Sequence, residues 1–295
     1  MTASVHYFPE ARAAAERLAA TLATSCQPID VHTFPDGESL VRVEPSTPTA
    51  IVYRSLDHPN VKLMELLLAA SALRQNGAGR VILVAPYLPY MRQDTAFRPG
   101  EAVSQKVIGR LMACHFDGLV TVDPHLHRTP TLGDVVPGVL VRAVSAARAL
   151  ADMIRADMVP DTILVGPDSE SRPWVENIGA LLGVEVLVGE KQRLGDRTVA
   201  LTIPGVDRAK GRPVILIDDM ISSGATLIAC AEKLSAVGAG QIEAVATHYL
   251  AGQYEIDVLA QHGIERIRSA DTIDGPTACA PIAPVIADVL REWIY

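Results

Sequence analysis

The sequence predicts an α/β fold with two similar domains, each a parallel sheet flanked by helices. Buried-strand runs, such as residues 80–85 (RVILVA) and 214–217 (VILI), alternate with amphipathic helical stretches along the whole chain. Such alternation is typical of parallel sheets covered by helices on both faces. The chain has 295 residues, 49% of them hydrophobic, which is enough for two separate cores. Because the two halves repeat one rhythm of elements, we predict a duplication and place the domains at residues 1–142 and 143–295.

Apolar periodicity and turn residues predict the elements in order. Strands are expected at residues 29–33, 39–43, 50–53, 80–85, 118–122, 162–165, 214–217 and 242–250, with an extended stretch at 184–190. Helices are expected at residues 13–22, 61–75, 103–114, 145–156, 173–182, 253–263 and 282–294, and one more begins at Leu227. In open parallel sheets ligands bind beyond the carboxyl ends of the strands, so the polar segments that follow these strands are the candidate sites.

The charge pattern and the cysteine content narrow the class of protein. The formal net charge is −8 with acids and bases interspersed, which disfavours a basic surface for nucleic acid or membranes. The N-terminus lacks a signal-peptide core, and no apolar run reaches membrane-spanning length. The four cysteines are scattered without a zinc-type pair, as in proteins of reducing compartments. We therefore expect a soluble cytoplasmic protein without nucleic-acid or membrane partners.

The most informative stretch is residues 213–227 (PVILIDDMISSGATL), where a buried strand leads through two acids into a turn and a helix. Small turn residues let several backbone N–H groups point at one spot near the positive end of the helix dipole, which makes a phosphate cradle. Asp218 and Asp219 are placed to accept hydrogen bonds from ribose hydroxyls, so the stretch suits a phosphorylated sugar. The alternative is an ordinary strand–turn–helix with a solvated acidic pair. The turn comprises Ser222, Ser223, Gly224, Ala225 and Thr226.

Two polar segments in the first half suit a base and its phosphates. Residues 34–38 (FPDGE) follow a predicted strand and are either a Pro-Asp-Gly turn or carboxylates that receive an amino group or a sugar edge. Residues 86–94 (PYLPYMRQD) follow the buried run at 80–85 and combine aromatic rings with Arg-Gln-Asp. Aromatic rings stack on bases and arginine clamps phosphate, while a solvated loop is the alternative.

Two further segments carry histidines and cations. His125 and His127 come directly after a predicted strand and share one side of an extended segment. Mg²⁺ prefers oxygen but accepts an occasional imidazole, and an ordinary polar turn is the alternative. Lys191 and Arg193 are two residues apart, so an extended conformation puts both on one face, where they can offset the charge of a polyphosphate. Taken alone, that charged segment also fits a solvated loop.

The segments occur in the order FPDGE, PYLPYMRQD, DPH, GPD, EKQR and DDMISSGAT. This order resembles the ribose-phosphate pyrophosphokinase family, also called phosphoribosyl-pyrophosphate (PRPP) synthetase, over nearly the whole chain, and looks closest to its archaeal-type variety. The resemblance implies two type I phosphoribosyltransferase-like domains, the first on the ATP side and the second on the ribose 5-phosphate side. It also implies a homo-oligomeric, Mg²⁺-dependent enzyme that transfers diphosphate from ATP to O1 of ribose 5-phosphate, giving PRPP and AMP.

The resemblance assigns roles to residues at matching positions. It implies ATP contacts at Phe34, Asp36, Glu38, Arg92, Gln93 and Asp94. It implies ribose 5-phosphate contacts at Asp218 and Asp219 for the hydroxyls, and at Ser222, Ser223, Gly224, Ala225 and Thr226 for the phosphate. His125 and Asp168 are the implied magnesium residues, and Lys191 and Arg193 are the implied catalytic cations.

Two departures from the family pattern bear on specificity. The phosphate turn has Ala225 where the family commonly has a second glycine, and a positive φ there would strain an alanine. Residues 169–172 (SESR) replace the usual small residues after Asp168. Two other functions share the central turn, namely a phosphoribosyltransferase that uses PRPP and a non-catalytic PRPP-binding regulatory subunit.

Overall fold

The computed structural model describes residues 3–45, 47–193 and 199–294, with the backbone alone at 191–193, 199 and 200. The chain divides into two compact units, the first running to Ser145 and resuming at Ile282, the second comprising Ala146–Pro281. This division differs from the predicted one, because the C-terminal segment belongs to the first unit. Within the described ranges, no helix combines the length and hydropathy needed to cross a bilayer.

The first unit is built on one seven-stranded sheet. Its strands are β1 (Ala3–Tyr7), β2 (Ser25–Thr33), β3 (Ser39–Val43), β4 (Thr49–Tyr53), β5 (Arg80–Val84), β6 (Gly118–Val122) and β7 (Leu140–Val144). They lie in the order β3-β2-β1-β4-β5-β6-β7, and all pairs are parallel except β2–β3. Its helices before the second unit are α1 (Arg12–Leu22), α2 (Pro59–Gln75), α3 (Ser104–His115) and α4 (Leu132–Val135).

The second unit contains a six-stranded parallel sheet and a separate hairpin. Its strands are β8 (Ile163–Gly166), β9 (Val186–Val188), β10 (Glu190–Arg193), β11 (Val199–Thr202), β12 (Val214–Ile221), β13 (Ile242–Tyr249), β14 (Ile264–Ala270) and β15 (Ala278–Ala280). The sheet order is β15-β14-β13-β12-β8-β9, and β10 and β11 form the antiparallel hairpin. Its helices are α5 (Ala147–Arg155), α6 (Arg172–Leu182), α7 (Ala225–Ala236) and α8 (Gln253–Gln261).

The C-terminal helix α9 (Ala283–Ile294) is attached to the first unit by side chain–backbone hydrogen bonds. Arg291 Nη2 donates to the carbonyl of Thr21 at 2.6 Å, and Arg80 Nη1 donates to the carbonyl of Trp293 at 2.6 Å. The ring of Trp293 lies 3.1 Å from where a Cβ would stand on Gly118, so this glycine lets the helix approach β6.

The two units share one strand order. Counted within each unit, the parallel strands run 2-1-3-4-5-6. An antiparallel pairing follows in both, but in the first unit β3 pairs with the second strand β2, whereas in the second unit β10 and β11 pair with each other in a separate hairpin. The predicted α/β class and the similarity of the halves are therefore confirmed. In this topology the order reverses between the first and third strands, which are β1 and β4 in one unit and β8 and β12 in the other. A crevice opens at such a switch point, beyond the carboxyl ends of the strands.

The sequence prediction missed strands that contain polar side chains. Ser4 and His6 interrupt the apolar pattern of β1, yet both are fully buried, with His6 Nε2 and Ser4 Oγ 2.8 Å apart. In β14, Arg268 is only 3% exposed because Glu243 and Asp157 pair with it. Buried polar groups that satisfy one another are compatible with a central strand, but no hydrophobic periodicity reports them.

Candidate active site

In the second unit, three carboxylates meet at the switch point. Strand β12 pairs with β8 only as far as Leu216, but its pairing with β13 continues to Ile221, so Asp218 and Asp219 lie beyond the end of β8. Asp168 follows β8 and is 9% exposed, and Asp219 is 6% exposed. Burial, followed by the charges of Asp219 and Asp168, raises the pKa of Asp218 well above its ordinary value.

The raised pKa of Asp218 is a test of whether a cation suits this place. Burial raises it most, and the neighbouring charges of Asp219 and Asp168 raise it further, so a positive charge at this place would offset both effects. Carboxylate oxygens are the ligands that Mg²⁺ prefers. The donor set of Asp168, Asp218 and Asp219 therefore fits a hard divalent cation.

The phosphate turn leads directly into α7. Gly224 is the N-cap, with φ of 71°, and the first backbone hydrogen bond of the helix runs from the N–H of Ile228 to the carbonyl of Gly224 at 2.9 Å. The N–H groups of residues 225–227 precede that bond and face the helix start. A Cβ on Gly224 would lie 2.8 Å from Leu259 Cδ2, so glycine is needed here for space as well as for φ.

The structure answers the question raised by Ala225. Positive φ falls on Gly224, whereas Ala225 is the first residue of α7 and is absent from the positive-φ residues of the described chain. The alanine is therefore unstrained in this turn.

Asp168 also shapes the loop that precedes α6. Its Oδ1 accepts hydrogen bonds from the N–H groups of Glu170 at 3.0 Å and Ser171 at 3.2 Å. Ser171 Oγ in turn donates to the carbonyl of Asp168 at 2.7 Å. Ser171 is buried against Gly166, where a Cβ would lie 2.5 Å from its hydroxyl. Within the segment 169–172, then, Ser171 tightens the turn, while the other three side chains are exposed.

The predicted catalytic cations lie on the hairpin of the second unit. The backbone register pairs Lys191 with Leu201 and Arg193 with Val199. The side chains of Lys191 and Arg193, and all of residues 194–198, lie outside the part of the chain that the structure describes.

In the first unit, the predicted segment 34–38 is the turn between β2 and β3. The N–H of Phe34 donates to the carbonyl of Glu38 at 2.7 Å, and the N–H of Gly37, with φ of 91°, donates to the carbonyl of Phe34 at 2.9 Å. Asp36 Oδ1 accepts the N–H of Glu38 at 3.2 Å. The turn is exposed, and because β2 is parallel to β1 it stands at the carboxyl edge of the sheet.

The loop after β5 holds the three remaining predicted ATP residues. Arg92 is exposed. Gln93 Oε1 accepts a hydrogen bond from Ser104 Oγ at 2.8 Å. The Asp94 side chain is only 3% exposed and accepts from Arg128 Nη1 at 2.8 Å. Asp94 is thus engaged with another loop of the same unit.

The loop after β6 brings the two predicted histidines together. His125 Nδ1 and His127 Nε2 are 3.1 Å apart, and the ring centroids are 3.8 Å apart in an edge-to-face arrangement. The predicted shared side of His125 and His127 is thereby confirmed. Asp123 (φ 35°) and Tyr90 (φ 65°) stand in positive-φ conformations beside these loops, as is common at functional sites.

Each unit therefore collects its own candidates at one sheet edge. The turn at 34–38, the loop with Arg92 and the loop with His125 follow β2, β5 and β6, whose parallel directions place their ends at the same edge. Asp168, Asp218 and the turn before α7 form the second group. Sequence reasoning missed Gln105 and Arg128, which tie two of these loops together, because single polar residues carry no local signal of a long-range contact.

Comparison with known proteins agrees with this architecture. The profile of the N-terminal domain of ribose phosphate pyrophosphokinase matches residues 6–115, and that of the phosphoribosyl transferase domain matches residues 141–257. A ribose-phosphate pyrophosphokinase of Methanopyrus kandleri is 34% identical over 278 residues, 94% of each chain. One from Thermococcus kodakarensis is 32% identical over 257 residues, 87% of this chain and 89% of the relative.

A solved structure is similar over the same extent. The crystal structure of phosphoribosylpyrophosphate synthetase from Mycobacterium smegmatis superposes with a TM-score of 0.85 at 26% identity and covers 99% of both chains. The predicted fold, two type I phosphoribosyltransferase-like domains, is confirmed by these matches. This chain belongs to the ribose-phosphate pyrophosphokinase family.

Proposed function

We propose that this chain is a ribose-phosphate diphosphokinase, which transfers the diphosphoryl group of ATP to O1 of ribose 5-phosphate and releases PRPP and AMP. The observation that carries the proposal is the cluster of Asp168, Asp218 and Asp219 at the switch point of the second unit, beside the start of α7, where no side chain caps the helix. Carboxylates next to exposed helix N–H groups suit a sugar that carries both hydroxyls and a phosphate.

Ribose 5-phosphate is assigned to the second unit. Asp218 and Asp219 accept hydrogen bonds from the ribose hydroxyls. The 5-phosphate is held by backbone N–H groups and hydroxyls of the turn, that is by Ser222, Ser223, Gly224, Ala225 and Thr226. The unstrained Ala225 supports this role, since the helix start keeps its N–H groups available.

ATP is assigned to the first unit. Asp36 and Glu38 on the exposed turn, with Phe34 beside them, and Arg92 and Gln93 on the loop after β5 contact the nucleotide. Asp94 supports this surface through its ion pair with Arg128.

Magnesium is the proposed metal, with Asp168 in the second unit and His125 in the first as its protein residues. When bound, Mg²⁺ offsets the negative charge of phosphoryl oxygens. The raised pKa of Asp218 supports a cation in the second unit.

The reaction asks little covalent chemistry of the protein. The O1 hydroxyl attacks the β-phosphorus in line and gives up its proton to water. The bond from that phosphorus to the oxygen bridging α and β breaks, and AMP leaves with the bridging oxygen and its electron pair. Lys191, Arg193 and Arg92 offset charge on the phosphoryl oxygens as it shifts, and the two substrates are held in line.

The test is direct. Purified protein given Mg-ATP and ribose 5-phosphate should release AMP and PRPP in equal amounts, and omission of the sugar should abolish AMP release. Release of ADP, or no reaction, would contradict the proposal. A phosphoribosyltransferase would instead consume PRPP with a base or amine, and a regulatory subunit would bind PRPP without turnover.

We also assign the enzyme to the cytoplasm as a homo-oligomer, in keeping with its family. All four cysteines are free in the structure, which supports a reducing compartment. Light scattering of the purified protein measures the assembly, and a monomeric mass would contradict the second assignment.

A further inference from the structure

Two loops at the carboxyl edge of the first unit are joined through the start of α3. Gln105, the second residue of this helix, is 1% exposed. Its Nε2 donates to the carbonyl of Met91 at 3.2 Å in the loop after β5, and its Oε1 accepts from Thr129 Oγ1 at 2.7 Å in the loop after β6. Both ends of the buried amide are thus used, one for each loop.

The same helix start also holds the backbone and side chain of Gln93. The N–H of Gln105 donates to the carbonyl of Gln93 at 3.2 Å, and Ser104 Oγ donates to Gln93 Oε1 at 2.8 Å. The first N–H groups of a helix have no intrahelical partner, and here one of them donates to the loop after β5 instead. Arg92 therefore lies between two anchored residues, Met91 and Gln93.

A second connection runs between the same loops farther along. Arg128 Nη1 donates to Asp94 Oδ1 at 2.8 Å, and the Asp94 side chain is 3% exposed against 60% for Arg128. This pair is exposed on the arginine side only, so solvent screens the charge of Arg128. The buried amide of Gln105 is different, because breaking its hydrogen bonds leaves a buried carbonyl and a hydroxyl unsatisfied.

We propose that Gln105 is a positioning residue for the nucleotide. It sets the loop with Arg92 and Gln93 in a fixed place relative to the loop with His125, so that the contacts to ATP are preorganised. The inference rests on the proposed function, in which both loops serve ATP. Preorganised polar groups hold a ligand with less loss of conformational freedom. Loosening this junction should therefore weaken the binding of ATP and leave the binding of ribose 5-phosphate unchanged.

The test uses Gln105→Met, which keeps the length of the side chain and removes both side-chain hydrogen bonds. The KM for ATP should rise about tenfold. The KM for ribose 5-phosphate and the kcat at saturating ATP should stay within about twofold. Thr129→Val should give part of the same rise, and the double variant should be no worse than Gln105→Met, because both remove one shared bond.

A matched control is Thr47→Val. Thr47 precedes β4, at the opposite edge of the same sheet, and its hydroxyl is 2.9 Å from Ser4 Oγ. This variant also loses a polar cross-link but should leave the KM for ATP unchanged. An equal rise with Thr47→Val, or a Gln105→Met enzyme with an unchanged KM for ATP, would overturn the inference. If Gln105→Met does not fold, Thr129→Val tests the inference by the same measurement of the KM for ATP. Thr129 is only half-buried, so its replacement should not prevent folding.

Calorimetry of ATP binding without ribose 5-phosphate separates this inference from the proposed function. A wild-type protein that binds ATP but makes no PRPP would refute the function, and weaker binding by Gln105→Met would still support the positioning role. An active wild type with equal ATP binding by both proteins would refute the positioning role alone.

Discussion

The switch points of the two units have the same backbone plan and opposite chemistry. In each, the turn after the third strand places a positive-φ residue at the helix N-cap, Gly224 at 71° before α7 and His58 at 48° before α2. In the second unit the last half of the third strand, β12, carries Asp218 and Asp219. In the first unit Arg54 directly follows the third strand, β4, and its guanidinium donates to Glu10 at 2.8 Å and lies 3.7 Å from the centre of the Phe8 ring.

The first unit closes its switch point with its own side chains. Arg54 also donates to Glu65 at 2.6 Å, and Lys62 Nζ donates to the carbonyl of Ser55 at 3.1 Å and to Asp57 at 2.7 Å. Every charge named here has a partner of opposite sign. In the second unit, burial and then the charges of Asp219 and Asp168 raise the pKa of Asp218 instead. Topology thus creates the crevice twice, and the two copies differ in whether the charges of their side chains are paired.

The hairpin of β10 and β11 in the second unit carries Lys191, and a change there should have the largest effect on turnover. Lys191→Ala in the hairpin of the second unit should lower kcat about 10³-fold, because a cation that offsets transition-state charge is lost. The fold should be retained, as checked by circular dichroism. Lys233→Ala, which changes an exposed lysine of α7, is the control and should keep normal turnover. Near-normal turnover of Lys191→Ala would remove this residue from the mechanism.

Opening the closed switch point should cost stability. Arg54 and Glu65 are 5% and 7% exposed, so Arg54→Met leaves a buried carboxylate without its cation and should lower the free energy of unfolding by about 3 kcal/mol. Adding Glu65→Leu should restore part of the loss. Arg12→Met, which breaks an exposed pair with Glu16, should leave the free energy of unfolding nearly unchanged. Denaturant unfolding measures all three, and equal stability of Arg54→Met and wild type would show that closure is not stabilising.

A change at the switch point of the second unit should raise stability instead of lowering it. Asp218→Asn should lower kcat about 100-fold, yet stabilise the metal-free protein, because it removes one of the clustered charges. The folded-state pKa of Asp218 is raised above its ordinary 3.8, so wild-type stability falls as pH rises through that pKa, and the Asn variant should lack this fall.

Asp57→Asn is the matched change in the first unit. It breaks the pair with Lys62 and should lower stability by about 1 kcal/mol while turnover stays near normal. Thermal unfolding without metal, measured as pH rises from the ordinary carboxyl pKa of 3.8, tests both variants together with initial rates. A metal-free Asp218→Asn protein less stable than wild type would contradict the view that these acids repel one another.

How far the sequence predicts this molecule depends on which interactions are local. The turn at 34–38, the strand into Asp218 and the helix after Gly224 follow from residue order, and β3 and β6 match their predicted bounds. That the positive φ falls on Gly224 and not on Ala225 could be known only from the residue at which α7 begins in the structure. The closure by Arg54 and the junction at Gln105 join residues far apart in sequence, so no local pattern reveals them.

The first strands of the two sheets, β1 and β8, differ in whether they bury a titratable side chain. This difference gives the prediction with the smallest expected effect, which is on the pH dependence of stability. Strand β8 is apolar throughout and buried, whereas β1 buries His6, and this burial lowers the pKa of His6 from 6.5 to about 4. The native state therefore binds the His6 proton at a lower pH than the unfolded chain does. The contribution of neutral His6 to stability is complete above pH 6.5 and falls as pH decreases toward 4.

By about pH 5, the loss from His6 relative to its full contribution at high pH is about 2 kcal/mol. His6→Gln keeps a polar group beside Ser4 but cannot titrate, so its unfolding free energy should fall less steeply as pH decreases. Other titrating groups are common to both proteins and cancel in the difference. Parallel slopes for wild type and His6→Gln would mean that His6 titrates alike in the folded and unfolded chain, and that β1 tolerates its histidine as easily as β8 tolerates its aliphatic residues.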